Sequence, residues 1–358
     1  MTDLLALTAE LVDIASPSFD ERAIADVVEQ RLRAAPALRV DRIGDNVVAR
    51  TDLGRDQRLL LVGHTDTVPA DDNERAVVEG DVLHGLGSAD MKGGLAVFLA
   101  LADEVAAGTL DPAVDLTWVF YATEEVAAVH NGLGVLARDA PDLLAGDAAV
   151  LGEPTDGWLE AGCQGTIRLT ATLHGARAHT ARPWTGRNAV HRLGRLLALV
   201  EAFPERRPVL DGCEFREALQ AVAVDGGVAG NVVPDRATVT LNHRFAPDRS
   251  AAEAEAAVRT LLAPALEDGD EVALVDAAAA ARPGLDHPLL AALRDRGGLP
   301  VRAKLGWTDV ARLVALGIPA VNLGPGDPLL AHTRHERVTR DQLERTHTAV
   351  RDLVAGGA

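Results

Sequence analysis

The chain has 358 residues, 47% hydrophobic and 25% charged, which suits a globular protein large enough for two domains or for one with a large insertion. Its 53 acidic side chains outnumber 35 Lys and Arg for a formal net charge of −18, and no basic cluster stands out, which argues against a nucleic-acid or anionic-membrane surface. Cys163 and Cys213 make no disulfide or thiolate-metal pattern, no apolar stretch reaches membrane-spanning length, and the N-terminus has no basic leader, so a cytoplasmic protein is expected.

Leu4, Leu7, Leu11 and Ile14 recur at helical spacing and predict a first helix that stops at Ser16-Pro17. Ser18, with Glu21 three residues on, matches a capping box and opens a second helix with Ile24, Val27, Val28 and Leu32 inward. Apolar runs at 59–63, 116–122 and 148–152 read as buried strands, with a helix at 95–107 between the first two. This alternation predicts an α/β fold with a central, mostly parallel sheet. From 167 the texture changes to strands at 167–173, 219–224 and 237–245 around a helix at 189–201, a smaller α+β domain inserted in the first. The α/β pattern resumes with helices near 288–295 and 309–316, a strand at 320–323 and a last helix from 341. The expected organisation is therefore a first domain over 1–166 and 277–358 and an inserted domain over 167–276, with the alanine run 277–281 as the return linker.

The three buried runs end in ionisable side chains: His64, the pair Glu124-Glu125, and Glu153. In open α/β sheets, sites form just beyond the carboxyl ends of strands. In Gly63-His64-Thr65-Asp66-Thr67-Val68-Pro69, His64 and Asp66 lie two apart and point the same way on extended backbone. The imidazole can then bind a metal while Asp66 accepts the hydrogen bond of its other ring nitrogen. Taken singly, the other candidates have plainer readings. Asp90 in Ser88-Ala89-Asp90-Met91-Lys92-Gly93-Gly94 reads as a helix cap, Glu124-Glu125 as a solvated loop, Glu153 in Gly152-Glu153-Pro154-Thr155 as a turn, and His332 as an exposed loop histidine. Together they supply histidine and carboxylate donors without thiolates, a set suited to zinc or a similar divalent ion. His179, Asn231 and Arg244 fall in the inserted domain, where alone they read as a surface histidine, a turn residue and a strand-edge charge.

With these motifs in this order, the chain resembles the family of di-zinc amidohydrolases that includes carboxypeptidase G, aminoacylase, acetylornithine deacetylase and succinyl-diaminopimelate desuccinylase. The resemblance extends over essentially the whole chain. It implies two divalent metal ions, zinc or alternatively cobalt, one held by His64, Asp90 and Glu153 and the other by Asp90, Glu125 and His332, with Asp90 shared. It implies that Asp66 orients His64, that Glu124 is the general base and acid, and that Asn231 and Arg244 contact substrate. It also implies a homodimer through the inserted domain, with His179 reaching the partner's site. His332 is preferred to His335 because Glu336 follows it at the family's spacing of four.

The segments Glu160 to Thr166, Gly306 to Arg312 and Gly324 to Pro328 further resemble the actinobacterial branch of the desuccinylases, which implies hydrolysis of N-succinyl-LL-2,6-diaminopimelate. Two departures from the better-known pattern bear on the acyl group. Gly162-Cys163-Gln164-Gly165-Thr166 stands where other branches have Gly-Arg-Arg-Gly-Ser, and Thr308-Asp309-Val310-Ala311 where they have Ser-Asp-Gly-Arg. Carboxylate recognition then shifts to other groups, with Arg182, Arg187 and Arg244 as candidates, and Thr308 is a further substrate-binding candidate. The competing expectations are an acetylornithine deacetylase, aminoacylase or metallo-exopeptidase on the same scaffold, and a catalytically silent binding protein, which would have little reason to keep Glu124.

Overall fold

Leu59, Leu60, Leu61 and Val62 are all fully buried because their strand, Arg58–His64, is flanked by parallel neighbours on both sides, Asp115–Tyr121 and Ala148–Leu151. A strand covered on both faces needs a continuous apolar run rather than an alternating one. The structure, a computed structural model, describes residues 2–358. Its central sheet has eight strands in the order Arg39–Ile43, Asn46–Arg50, Asp115–Tyr121, Arg58–His64, Ala148–Leu151, Ala320–Asn322, Leu159–Ala161 and Val301–Ala303. The middle pairings are parallel, and antiparallel pairs adjoin them on either side. The first two strands form a charged hairpin, Arg39–Ile43 against Asn46–Arg50, that periodicity alone does not predict.

The predicted 95–107 helix runs over Lys92–Ala106, and every residue from Lys92 to Ala102 is buried. Glycine explains how its start fits against the sheet. A Cβ on Gly94 would lie 2.3 Å from the Gly152 carbonyl oxygen, and one on Gly324 would lie 2.1 Å from the same atom. The helix start and two strand ends therefore meet backbone to backbone, which brings the segment after Gly152 to the turn before the helix.

The Ser18 capping box does not form. The second helix, Arg22–Arg33, has Glu21 at its N-cap with no side-chain cap bond, and the Ser18 hydroxyl donates to Asp66 Oδ2 instead (2.7 Å). The chain divides into two compact units, one of residues 1–161, 283–302 and 312–358, the other of 162–282 and 303–311. The expected boundaries, 166/167 and 276/277, fall inside the second unit. The alanine run is not a free linker, since Ala277 and Ala278 complete the strand Glu271–Ala278, which pairs with Gly165–His174.

The second unit is a four-stranded antiparallel sheet in the order Ala218–Gly226, Arg236–Phe245, Gly165–His174 and Glu271–Ala278. The helices Ala189–Glu201 and Ala251–Leu262 cover one face and bury Leu169, Leu193, Leu196, Val239, Leu241 and Val258. The strict alternation of Arg236–Phe245, buried at every second residue, follows from this one-sided cover. Among the described residues no helix is long and apolar enough to cross a membrane.

Candidate metal centre

The first unit gathers its strand-end side chains at one place. His64 ends its strand, Thr123 follows Asp115–Tyr121 with φ 58°, and Glu124 and Glu125 come directly after it. A left-handed threonine is strained and must be held. Its N–H donates to Glu21 Oε1 (3.0 Å) and its hydroxyl to the His130 carbonyl (2.6 Å). His332 is likewise left-handed, with φ 62°. Glu153 follows Ala148–Leu151 after Gly152, and Asp90 sits in the turn before Lys92–Ala106. Asp90 is not a cap, because Met91 occupies the N-cap position without a side-chain bond.

Asp90 lies between the two imidazoles. Its Oδ1 is 3.1 Å from His64 Nε2, and its Oδ2 is 3.4 Å from His332 Nε2. The same His332 nitrogen is 2.8 Å from Glu125 Oε1. Potential ligand atoms lie within 4.8 Å of one another in each of three sets: His64, Asp90 and Glu153; Asp90, Glu125 and His332; and His64, Glu124 and Glu125. The first two share Asp90, so the chain brings together two three-donor sets joined by one carboxylate. His335 is not among them; it is exposed, and its N–H donates to Thr333 Oγ1.

Electrostatics agree with a cation-binding cluster. Burial opposes a charge on His64, yet the negative carboxylates of Asp66 and Asp90 beside its two ring nitrogens hold its imidazole well above its ordinary pKa. Asp90 and Glu125 push His332 up to about 10. Asp90 is held low by both imidazoles despite its burial. The cluster thus keeps positive charge where its carboxylates converge, and a divalent ion would replace those protons with stronger charge on the same donors. Imidazole and carboxylate donors without sulfur fit zinc and similar ions.

Asp66 sits differently from the sequence expectation. His64 Nδ1 lies 3.0 Å from the Asp66 backbone carbonyl and 3.5 Å from its Oδ1. The fully buried carboxylate accepts instead from the backbone N–H groups of Glu124 (2.9 Å) and Glu125 (3.1 Å) and from the Ser18 hydroxyl. It therefore fixes the loop that carries both glutamates as well as facing the histidine.

Residues 60–355 match the family described as Peptidase family M20/M25/M40. The chain belongs to this family. A Mycobacterium tuberculosis H37Rv protein that carries the succinyl-diaminopimelate desuccinylase name DapE is 53% identical over 94% of this chain and 93% of its own. The succinyl-diaminopimelate desuccinylase of Corynebacterium glutamicum is 47% identical over 95% of this chain and 93% of its own. In fold, the M20 chain is similar to a tripeptidase of Staphylococcus aureus (TM-score 0.81, 20% identity, 99% of this chain and 97% of that one). It is also similar to an M20 metallo-carboxypeptidase of Sulfolobus solfataricus (TM-score 0.75, 17% identity, 99% of each chain).

The remaining sequence candidates of this M20 chain lie in its second unit. His179 and Asn231 share one exposed corner, where His179 bridges Val232, Thr180 N–H donates to the Asn231 carbonyl (3.0 Å) and Val233 N–H to the Ala178 carbonyl (2.8 Å). Arg182 and Arg187 are exposed, and Arg187 pairs with Glu267. Arg244 is half-buried on the uncovered face of the sheet, where burial lowers its pKa and Arg168 adds repulsion. Thr308 is 4% exposed, and its hydroxyl has no partner among the described residues.

Sequence reasoning missed three residues that hold the site. Ser18 was assigned to a helix cap, Glu21 to the same motif, and Glu336 served only to choose between two histidines. Glu336 is 1% exposed, and burial pushes its carboxyl up to about 7 against the hydrogen bonds it accepts. A glutamate that never reaches solvent is the signal, and burial is not visible in a charged loop sequence.

Proposed function

We propose that this chain hydrolyses the amide of N-succinyl-LL-2,6-diaminopimelate, giving succinate and LL-2,6-diaminopimelate for lysine and cell-wall synthesis in the cytoplasm. The observation that carries the hydrolytic part is Asp90 between the imidazoles of His64 and His332, with a ligand atom of Glu124 within 4.8 Å of donors on His64 and Glu125. The acyl group and amine rest on the names of the Corynebacterium and Mycobacterium relatives, whose likeness spans both chains nearly end to end.

His64, Asp90 and Glu153 would hold one ion and Asp90, Glu125 and His332 the other, with zinc as the resident metal and cobalt the alternative. Bound there, the ions supply a water of lowered pKa and polarise the amide carbonyl. The Glu124 carboxylate takes the water's proton as its oxygen bonds to the amide carbon. It returns that proton to the amine nitrogen as the C–N bond breaks, and so ends the cycle ionised. Asp66, by accepting the Glu124 N–H, keeps the base in place.

A homodimer through the second unit completes the reading. The edge strand Ala218–Gly226 leaves Val222 and Val224 outward, which supports pairing with another copy. His179 of the partner subunit would then donate to the developing oxyanion, a contribution of about 3 kcal/mol for such a donor. Asn231, Arg244, Arg182 and Thr308 are the groups available to the substrate's polar ends.

The test is turnover by purified protein of N-succinyl-LL-2,6-diaminopimelate, N-acetylornithine and dipeptides, with metal analysis of the same sample. Turnover of the succinylated substrate is expected. Hydrolysis of a rival substrate alone would overturn the assignment of acyl group and leave the amide hydrolase.

A further inference from the structure

Glu336 and Asp90 are remote in sequence, yet Glu336 Oε1 accepts from the backbone N–H of Ala89 and of Asp90, each at 2.9 Å. The main chain adds a further tie, since Gly85 N–H donates to the Glu336 carbonyl (3.2 Å). The segment carrying Asp90 is thus bound at Gly85, Ala89 and Asp90 by one residue.

That residue belongs to the loop of His332. Glu336 N–H donates to the Thr333 carbonyl (3.1 Å), which closes the loop back toward His332, and the strand Arg337–Thr339 then pairs with Val82–His84 just before the turn. Glu336 therefore joins the segment of the carboxylate that faces both imidazoles to the segment of one of those imidazoles. Backbone donors on a buried carboxylate fix a main chain more tightly than neutral acceptors do. Asp90 must place two oxygens at once, so a small rotation of its backbone misplaces both.

We propose that Glu336 is a positioning residue that sets Asp90 as the shared ligand of the two-ion centre, acting through the backbone of Ala89 and Asp90 and not by touching substrate. The proposal rests on the metal-dependent reading above. Outer partners of metal ligands typically govern metal affinity by about 10- to 100-fold. Loss of Glu336 should act on both ion sites, because both three-donor sets include Asp90.

The experiment titrates metal-free wild type, Glu336→Ala, Glu336→Asp and Glu336→Gln with Co(II), following uptake by calorimetry and coordination by visible absorption. Wild type should take up two ions. Glu336→Ala, and Glu336→Asp with its shorter reach, should bind about 10- to 100-fold more weakly with an altered spectrum, while melting as folded protein. Glu336→Gln keeps the acceptor oxygen and should recover most of the affinity. A folded Glu336→Ala or Glu336→Asp that loads two ions with wild-type affinity and spectrum overturns the positioning role alone. Should Glu336→Ala fail to fold, Glu336→Asp decides the outcome in the same terms. A wild type that takes up no Co(II) overturns the metal reading first, and the positioning role with it.

Discussion

The Asp66 carboxylate accepts a hydrogen bond from the backbone N–H of Glu124 at 2.9 Å, so the residue that faces His64 also holds the residue proposed to move the proton. In Asp66→Asn the side chain presents an amide donor to one of two N–H donors that now share a carboxylate. A hydrogen bond to a charged group is worth about 1.5–3 kcal/mol, so kcat should fall roughly 10- to 100-fold. Asp66 also holds the Glu125 N–H and faces His64, so metal affinity should fall as well and kcat is compared at saturating metal. Steady-state kinetics with metal analysis checks this, and an unchanged kcat refutes the role.

Glu124→Gln removes the proposed base and keeps the shape. Turnover should fall by about 10² to 10⁴ while two metal ions per chain are retained. If metal is lost in step with activity, Glu124 is a ligand, an alternative that its presence in a donor set with His64 and Glu125 makes concrete.

The strands that end at the site were legible because the apolar run at 59–62 and the largely apolar run at 116–121, broken only by Thr117, mark strands buried on both faces, and a charged residue just after such a run stands out. His64, Glu124, Glu125 and Glu153 were found this way. Asp90 and His332 were not, since a turn aspartate and a loop histidine acquire meaning only from the motif order. The partners of the ligands stayed hidden for another reason. Ser18 and Glu21 fit a local capping pattern, but their hydrogen bonds run to Asp66 and Thr123, contacts that the tertiary fold creates. The hairpin of Arg39–Ile43 and Asn46–Arg50 was missed because charges interrupt its first strand, one face of which needs no core.

Removing metal should lower stability. Without an ion, the carboxylates of Asp90, Glu125 and Glu153 crowd into donor sets less than 4.8 Å across, balanced only by protonated imidazoles. Chelation should lower the melting temperature. Returning Zn(II) should raise it with concentration, by about 2.7 kcal/mol of stability at a hundredfold excess over Kd. Calorimetric melts across a zinc series measure this, and a melting temperature indifferent to both chelator and zinc would refute the centre.

If His179 acts across a homodimer, two inactive chains can repair each other. Mixing Glu124→Ala with His179→Ala under conditions of subunit exchange should leave one intact site in each heterodimer, for up to about a quarter of wild-type activity. Exchange verified by mass spectrometry with no return of activity excludes action across the interface.

His347 offers a pH test away from the metal ligands. Its Nε2 lies 3.0 Å from Glu104 Oε1, and Arg351 holds the other oxygen of that carboxylate at 2.7 Å. Burial lowers the His347 pKa below 6.5, outweighing the attraction of Glu104. A depressed histidine is neutral in the folded chain, while the unfolded chain still binds a proton near pH 6.5. Its contribution is therefore fully present above about pH 6.5 and is lost as pH falls through that value toward the folded pKa. Melting temperatures of wild type and His347→Gln should differ most at pH 7.5 and converge as pH approaches 5. A difference that grows on acidification would mean that the Glu104 pair outweighs burial and that His347 is charged in the fold.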